Sequence, residues 1–261
     1  MNRSMKITIL GTGTFYANNK QSGPGYLLEA DGKKILIDCG PGTLMRLSDI
    51  GLTPDDIDYV FISHFHADHT SDLFAFQMNF RLKEFFSTDP DYKTPIIYGP
   101  PGIETFTKKL SEIYQLYAFE TYSRIEYRVV QPVFEIGGIT VKSFAVKHAA
   151  FRVETPAFAY RFEFGGKSFV FSGDCVKDDS IVAACADADL FICDTSSAKG
   201  QGNAAHMDTL DIGKVCAQAG VKKVVLTHFY PNLANVDVVS EVREEYQGEV
   251  VRGEDLMELE L

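Results

Sequence analysis

Short apolar runs broken by glycine or polar turns set the rhythm of this chain. Residues 5–39 alternate β-rich runs (MKITIL, GYLLEA, KKILIDC) with turns at Gly11–Gly13 and at Asp31-Gly32. The Asp-Gly pair predicts a two-residue hairpin, because both positions of that turn need positive φ. Gly42–Ile50 predicts a short helix, Tyr59–Ser63 a buried strand and His69–Phe86 a helix with an aromatic face. Pro95–Tyr98 reads as a strand closed by Gly99-Pro100-Pro101-Gly102, and Ile103–Tyr117 as a helix. The second half repeats the plan. Strands are predicted near 125–130, 139–146, 157–164 and 167–172, with Gly165-Gly166 as a turn. Helices at 178–186, 208–219 and 237–246 interleave with the strands LFICD and KVVLTHF. Periodicity by itself supports a mixed α/β chain. Strand runs first and strand-helix alternation later in each half suggest a four-layer αββα sandwich, two mixed sheets flanked by helices. No composition shift or linker divides residues 1–261, so they read as one domain.

The composition decides what a metal would be for. A chain of 261 residues, 45% of them hydrophobic, can bury a large core without disulfides or ions, so a bound metal would serve chemistry. The formal charge of −11 argues against capturing a long phosphate backbone over a broad face, since that affinity comes from Lys and Arg displacing counterions. No window approaches the ~18 uninterrupted apolar residues of a membrane span, and Ile7–Leu10 is too short for a signal-peptide core. Cys39, Cys175, Cys185, Cys193 and Cys216 are odd in number and never in a C-x-x-C pair, which reads as reduced thiols and a cytoplasmic protein. Cys39 and Cys175 are set apart because each adjoins an Asp with chemical potential.

The strongest chemical signal is Ser63-His64-Phe65-His66-Ala67-Asp68-His69, directly after the apolar run YVFIS. Three imidazoles and one carboxylate on a strand-to-helix loop suit zinc, with manganese, iron or nickel as competitors. At this composition, H-x-H-x-D-H arises by chance on the order of a few times in ten thousand. His148, Asp174 and His228 each close an apolar run and open a loop, the place where a rigid scaffold presents ligands. His206 lies in the polar stretch SSAKGQGNAAH.

With these residues in view, the chain resembles the metallo-β-lactamase-fold hydrolases over nearly its whole length. The likeness runs from MKITILGTGT and LIDCG (Leu36–Gly40) through SHFHADH, His148, Ser172-Gly173-Asp174 and His228. It is most similar to the branch that contains ribonuclease Z and the related cyclic phosphodiesterases and arylsulfatases, because His206 opens HMDTLDIGKVCAQAGVKKVVLTH ahead of the last ligand strand. The β-lactamases of this family usually place a Cys ligand near there, and neither Cys185 nor Cys193 falls at a matching position. The resemblance implies His64, His66 and His148 on one metal, Asp68, His69 and His228 on the second, and Asp174 bridging the two. It implies two divalent ions, zinc first with Mn2+ or Fe2+ as alternatives, and a metal-bridging hydroxide that attacks phosphorus. The catalytic residues on this reading are Asp68, which positions or accepts the proton, and His206, which stabilises charge on the phosphoryl oxygens and leaving group. A homodimer is also implied.

Asp38 reads either as the carboxylate bracing a ligand imidazole or as a turn residue before Gly40-Pro41-Gly42. Asp194 has the same two readings, with the structural one favoured. The 195–202 loop, with Thr195, Ser196 and Ser197, reads first as a flexible polar loop and second as a donor to an anionic substrate.

The substrate is a separate question, since one two-metal scaffold serves several esters. Ribonuclease Z enzymes carry a glycine-rich basic arm between the third ligand His and the bridging Asp. The matching segment here, Ala149–Gly173, balances Arg152, Arg161 and Lys167 against Glu154 and Glu163, and reads as hairpin strands. A small anionic substrate, a small or cyclic phosphodiester, is therefore favoured over a large docked nucleic acid. The aromatic stretch FAFQMNFRLKEFF, Phe74–Phe86, reads either as a wall for a nucleobase or aryl group or as a helix face packed on the core. The alternatives are a ribonuclease Z-type tRNA 3′-endonuclease with its arm elsewhere, within residues 80–95, an arylsulfatase- or lactonase-like hydrolase, and a non-catalytic metal-binding sensor.

Overall fold

The computed structural model describes residues 4–16, 18–86, 92–114, 124–150 and 153–261. The first half runs β1 (Lys6–Gly11), β2 (Gly25–Ala30), β3 (Lys33–Ile37), α1 (Thr43–Asp49), β4 (Tyr59–Phe61), α2 (Ala67–Thr70), α3 (Leu73–Phe86), β5 (Ile96–Gly99), α4 (Ile103–Ile113) and β6 (Glu126–Val129). The second runs β7 (Val133–Ile136), β8 (Ile139–Val146), β9 (Ala149–Ala150), β10 (Val153–Glu154), β11 (Ala157–Phe164), β12 (Lys167–Phe171), α5 (Asp179–Ala184), β13 (Leu190–Asp194), α6 (Thr209–Ala219), β14 (Lys223–Thr227), α7 (Val238–Val242) and β15 (Glu249–Arg252), and β16 (Glu258–Glu260) closes the chain. Two seven-stranded mixed sheets result, in the orders β16-β1-β2-β3-β4-β5-β6 and β15-β14-β13-β12-β11-β8-β7. In each, an antiparallel set gives way to parallel strands, from β3 onward in the first and from β12 onward in the second. Ala149–Gly173 holds β9 to β12, with β11 and β12 a hairpin whose register pairs Phe164 with Lys167.

Alternation along the strands creates four layers. Ile35 and Ile37 of β3 face the second sheet, while Leu36 packs with Leu47, Phe76 and Phe80 on the helix side. In β13, Leu190 and Ile192 face the first sheet, while Phe191 and Cys193 pack under Ile212, Val215 and Cys216 of α6. The central layer is aromatic, with Phe61 stacked on Tyr98 at 4.9 Å and edge-on to Tyr160 at 5.3 Å. Burying each such ring is worth roughly 1.5–3 kcal/mol. Two of the phenols also cross between sheets. Tyr160 Oη donates to the Ile62 carbonyl at 2.6 Å, and Tyr26 Oη lies 2.9 Å from Thr227 Oγ1. These bonds pin the ends of β4 and β14, and the next residues along the chain are Ser63-His64 and His228.

The sequence-based elements differ from the structure in definite places. The helix expected over His69–Phe86 is two helices, because Asp72 leaves the helical path: its backbone N–H donates to Cys39 O at 3.0 Å, and its carboxylate caps α1 through the N–H groups of Gly42 and Leu44. The final residues of the helix expected to reach Tyr117 lie outside the described residues, as do 87–91 of the 80–95 stretch considered for an alternative arm. Strands β7, β15 and β16 had no periodic signal long enough to read, being three or four residues each at sheet edges. The aromatic face of α3 is core, since Phe76 and Phe80 are buried with Leu73 and Ile97. All five cysteines are buried and unpaired, four of them in the layer under α5 and α6.

Candidate metal centre

The site lies where strand ends meet. Asp38 follows β3, Ser63 to Asp68 bridge β4 and α2, His148 and Asp174 follow β8 and β12, Asp194 ends β13 and His228 follows β14. The backbone there is unusual. Asp38 (φ 55°) and His228 (φ 62°) both adopt the left-handed conformation that side chains with a Cβ seldom take, an arrangement concentrated at functional sites. Gly40 lets two loops touch, because a Cβ there would sit 2.0 Å from the Asp68 carbonyl oxygen.

Two buried carboxylates orient the imidazoles. Asp38 accepts from Ser63 N–H at 2.7 Å through Oδ1, and from Ser63 Oγ–H and His69 Nδ1–H at 2.7 Å each through Oδ2. Having given its proton to Asp38, Ser63 Oγ accepts from His64 Nδ1–H at 3.1 Å. Asp38 thus fixes two histidines, one directly and one through a serine, and turns both Nε2 lone pairs inward. On the other side, Asp194 Oδ2 accepts from His206 Nδ1–H at 2.7 Å, and Asp194 Oδ1 accepts from Ser196 Oγ–H at 2.5 Å. Ser196 Oγ in turn accepts from His228 Nδ1–H at 2.8 Å. His148 Nδ1–H donates to the Ala205 carbonyl at 2.8 Å, which leaves its Nε2 3.2 Å from His66 Nδ1.

The inward atoms form two groups that share one carboxylate. His64, His66, His148 and Asp174 place ligand atoms within 4.8 Å of one another, and so do Asp68, His69, Asp174 and His228. Within the second, His69 Nε2 is 3.2 Å from Asp174 Oδ1 and His228 Nε2 is 3.3 Å from Asp68 Oδ2. A third cluster, Asp174, Asp194, His206 and His228, meets the same distance limit, but Asp194 and His206 already spend their facing atoms on each other at 2.7 Å. Among the described residues, buried His64 Nε2 and Asp174 Oδ1 have no hydrogen-bond partner. Orphaned acceptors in a nest of imidazoles and carboxylates fit a cation, and this N/O donor set fits zinc or a similar divalent ion.

The electrostatics point the same way. Burial works against a charged ring at His69, yet Asp174, Asp38 and Asp68 together hold it well above the usual imidazole range. Burial likewise opposes charge on His228, but Asp174 and Asp194 push it up to about 10. His206 is also raised, with Asp194 outweighing the burial. Burial and the neighbouring imidazole of His69 instead hold His64 well below its ordinary value. Asp174 resists the upward push of burial because His228 and His69 face it, so it stays well below the carboxylate range. The buried carboxylates thus favour positive charge at His69 and His228, the same charge balance that divalent cations would supply on binding.

A cavity of about 890 Å³ opens onto this cluster. Its floor carries His66, Asp68, His148, Asp174 and His206, and its rim carries Phe15 and Tyr230. Among the described residues none of α3 lines it, so of the two readings of Phe74–Phe86 the core-packed face is the one the structure supports. Phe74 instead stacks on Tyr114 at 4.4 Å. Asp194, for which a structural role was favoured, holds both His206 and His228 through the contacts above. Of the polar loop, Ser196 and Ser197 are buried, and Ser196 is part of the brace. Sequence reasoning did not find Ser63 or Ser196 as relays, nor Phe15 and Tyr230 as rim residues; the only signal was proximity, Ser63 beside His64 and Tyr230 two positions after His228.

Residues 33–229 match the beta-lactamase superfamily domain. A probable metallo-hydrolase, YhfI of Bacillus subtilis (strain 168), is 28% identical over 251 residues, covering 94% of this chain and 96% of the relative. The crystal structure of that metallo-beta-lactamase fold protein superposes with a TM-score of 0.81 at 24% identity, covering 99% of this chain and 100% of the other. A ribonuclease Z of Mycobacterium sp. (strain KMS) is 25% identical, covering 98% of this chain and 96% of that protein. The human tRNase Z, short form, gives a TM-score of 0.73 at 23% identity over 97% of this chain and 98% of that one. With the two seven-stranded sheets, the shared-carboxylate cluster and a domain match over most of its length, this chain belongs to the beta-lactamase superfamily and has the metallo-beta-lactamase fold.

Proposed function

We propose that this chain is a two-metal hydrolase, with zinc the metal that its donor set suits best, and that it cleaves a small or cyclic phosphodiester. The observation that carries the reading is the pair of four-residue groups joined at Asp174, with His206 beside them but engaged by Asp194. His64, His66 and His148 would hold one ion, Asp68, His69 and His228 the other, and Asp174 both. Such ions supply Lewis acidity toward phosphoryl oxygens and lower the pKa of water. The rest of the work falls to the protein. Asp68, on the cavity floor, is placed to orient an attacking water and take its proton. Asp194 accepts His206 Nδ1–H and raises the imidazole pKa, which favours the doubly protonated ring, so Nε2–H is the edge left to donate to a phosphoryl or leaving-group oxygen. Asp194 holds that ring in one orientation and stabilises its charge, and Ser196 couples the same carboxylate to His228.

The cavity supports a small substrate. Among the described residues, no Lys or Arg lines it, so a polyanion would find no counter-charge along the approach. A second reading, tRNA 3′ processing, is favoured by the likeness to a ribonuclease Z. Metal-loaded protein assayed side by side on bis(p-nitrophenyl) phosphate, 2′,3′-cyclic nucleotides, p-nitrophenyl sulfate and precursor tRNA separates the two. Turnover of the small diesters above the other substrates is expected. Efficient precursor tRNA cleavage with weak diester turnover favours the second reading, and sulfate turnover without phosphodiester turnover overturns both.

A further inference from the structure

The rim of the cavity holds an aromatic cluster that the fold does not use. Phe15 and Tyr16 are 54% and 51% exposed, yet their rings stack on each other at 5.0 Å, and each meets Tyr230 edge-on at 5.8 Å. Tyr230 also stands 6.0 Å from the His206 ring and 5.8 Å from the His228 ring, so the aromatic surface is continuous from the catalytic floor to the mouth. The loop that carries Phe15 and Tyr16 has a fixed base. Asp255 accepts from Thr12 N–H at 2.9 Å, Thr12 Oγ–H at 2.8 Å and Ser22 N–H at 2.7 Å, and it pairs with Arg46 at 3.2 Å. Gly13 N–H closes the loop on Ser22 O at 2.8 Å, and Asn18 Oδ1 accepts from the N–H groups of Lys20 and Gln21. These six hydrogen bonds and one ion pair fix the loop that carries two half-exposed rings, Phe15 lining the cavity and Tyr16 stacked behind it. The amides of Gln201 and Asn232 line the same cavity. Flat apolar faces with neutral amide groups and, among the described residues, no Lys or Arg are complementary to a planar, uncharged ring that can also form hydrogen bonds.

Resting on the phosphodiesterase reading above, we propose that Phe15, Tyr16 and Tyr230 form a stacking subsite that selects phosphodiesters bearing a planar aromatic or heteroaromatic substituent. The phosphoryl group sits on the floor between Asp68 and His206, and the substituent lies against Tyr230 and Phe15. Stacking of one ring on such a platform is worth about tenfold or more in binding.

The test keeps the leaving group constant. Methyl p-nitrophenyl phosphate, phenyl p-nitrophenyl phosphate and thymidine 5′-(p-nitrophenyl) phosphate all release p-nitrophenolate, so differences in kcat/KM report the other substituent. Metal-loaded wild type is expected to favour the phenyl and thymidine esters over the methyl ester by about tenfold or more, mainly through KM. In Phe15→Ala and in Tyr230→Leu that ratio falls toward one. Calorimetric binding of phenylphosphonate against methylphosphonate to the same proteins provides a readout that needs no turnover. Preferential binding of phenylphosphonate that is lost in Phe15→Ala sustains the subsite even if no diester is hydrolysed, which would count against the phosphodiesterase reading alone. Diester hydrolysis with equal efficiency for methyl and phenyl esters, or a preference that survives both substitutions with unchanged phosphonate binding, overturns the subsite and leaves the phosphodiesterase reading standing.

Discussion

Asp38 and Asp194 hold corresponding stations in the two halves of the molecule, one just past β3 in the first sheet and one at the end of β13 in the second, and both are almost wholly buried. Each accepts one imidazole N–H directly and reaches a second imidazole through a serine, Ser63 in the first case and Ser196 in the second. The difference lies in what they hold. Both histidines on Asp38, His64 and His69, point Nε2 into the two candidate ion sites, one into each. Of the two on Asp194, His228 points into an ion site while His206 lines the open cavity. On the proposed function, a carboxylate brace serves two ends in one fold: it fixes candidate ligands alone, or fixes one and also presents His206 to whatever enters.

Substitutions that separate these ends break or sharpen the comparison. The largest expected effect is in His206→Ala, which should cut turnover by roughly 10²- to 10⁴-fold while metal content, measured by elemental analysis on the same preparation, stays at the wild-type level. Metal loss with that substitution would place His206 among the ligands. Next comes Asp38→Asn, which keeps the shape but removes the charge that orients His64 and His69. A fall of about 10- to 100-fold in metal affinity by chelator competition is expected, affecting both ions. Asp194→Asn should weaken only the ion on His228, while lowering turnover beyond what metal loss explains because His206 loses the carboxylate that orients it and favours its protonated form. Equal effects of the two Asn substitutions on both ions would erase the distinction. Ser196→Ala should cost less than about tenfold in affinity, since it removes one relay hydrogen bond and leaves Asp194 3.2 Å from His228 Nδ1. The smallest effect is expected from thiol reagents. Burial raises the pKa of Cys39, Cys175, Cys185 and Cys193 well above the ordinary thiol value, so almost no thiolate exists at pH 8. Native protein should therefore react slowly and without loss of metal, and all five thiols should become titratable only on unfolding.

The comparison also separates what a sequence can show from what only the fold can. That His64, His66, Asp68, His69, His148, Asp174 and His228 gather in one place was legible because metal chemistry restricts residue type and because strand ends announce themselves as apolar runs meeting irregular segments. Asp38 was half legible, since an Asp after a strand and before Gly40-Pro41-Gly42 is equally a turn residue. Asp194 was read toward structure because nothing local reveals that His206, twelve positions on, folds back onto it at 2.7 Å. The serine relays were hidden for a related reason, as a hydroxyl gains its role only from the two groups it joins. The layers followed from alternation in β3, β13 and their neighbours. The break between α2 and α3 did not, because it depends on Asp72 capping α1, thirty positions earlier in the chain. The aromatic stretch Phe74–Phe86 was legible only as two alternatives, of which the core-packed face holds. Phe76 and Phe80 recur at helical spacing and are core, whereas Phe15 and Tyr230, 215 positions apart, meet only once both sheets have formed.

The central claim is that two ions sit at the groups joined by Asp174, with His206 outside both. Diffraction from crystals grown with zinc, recorded on either side of the zinc absorption edge, tests it directly. Two anomalous peaks are expected, one among His64, His66, His148 and Asp174 and one among Asp68, His69, Asp174 and His228, with the His206 ring still on Asp194. A single peak bound by Asp174, Asp194, His206 and His228 would contradict the account.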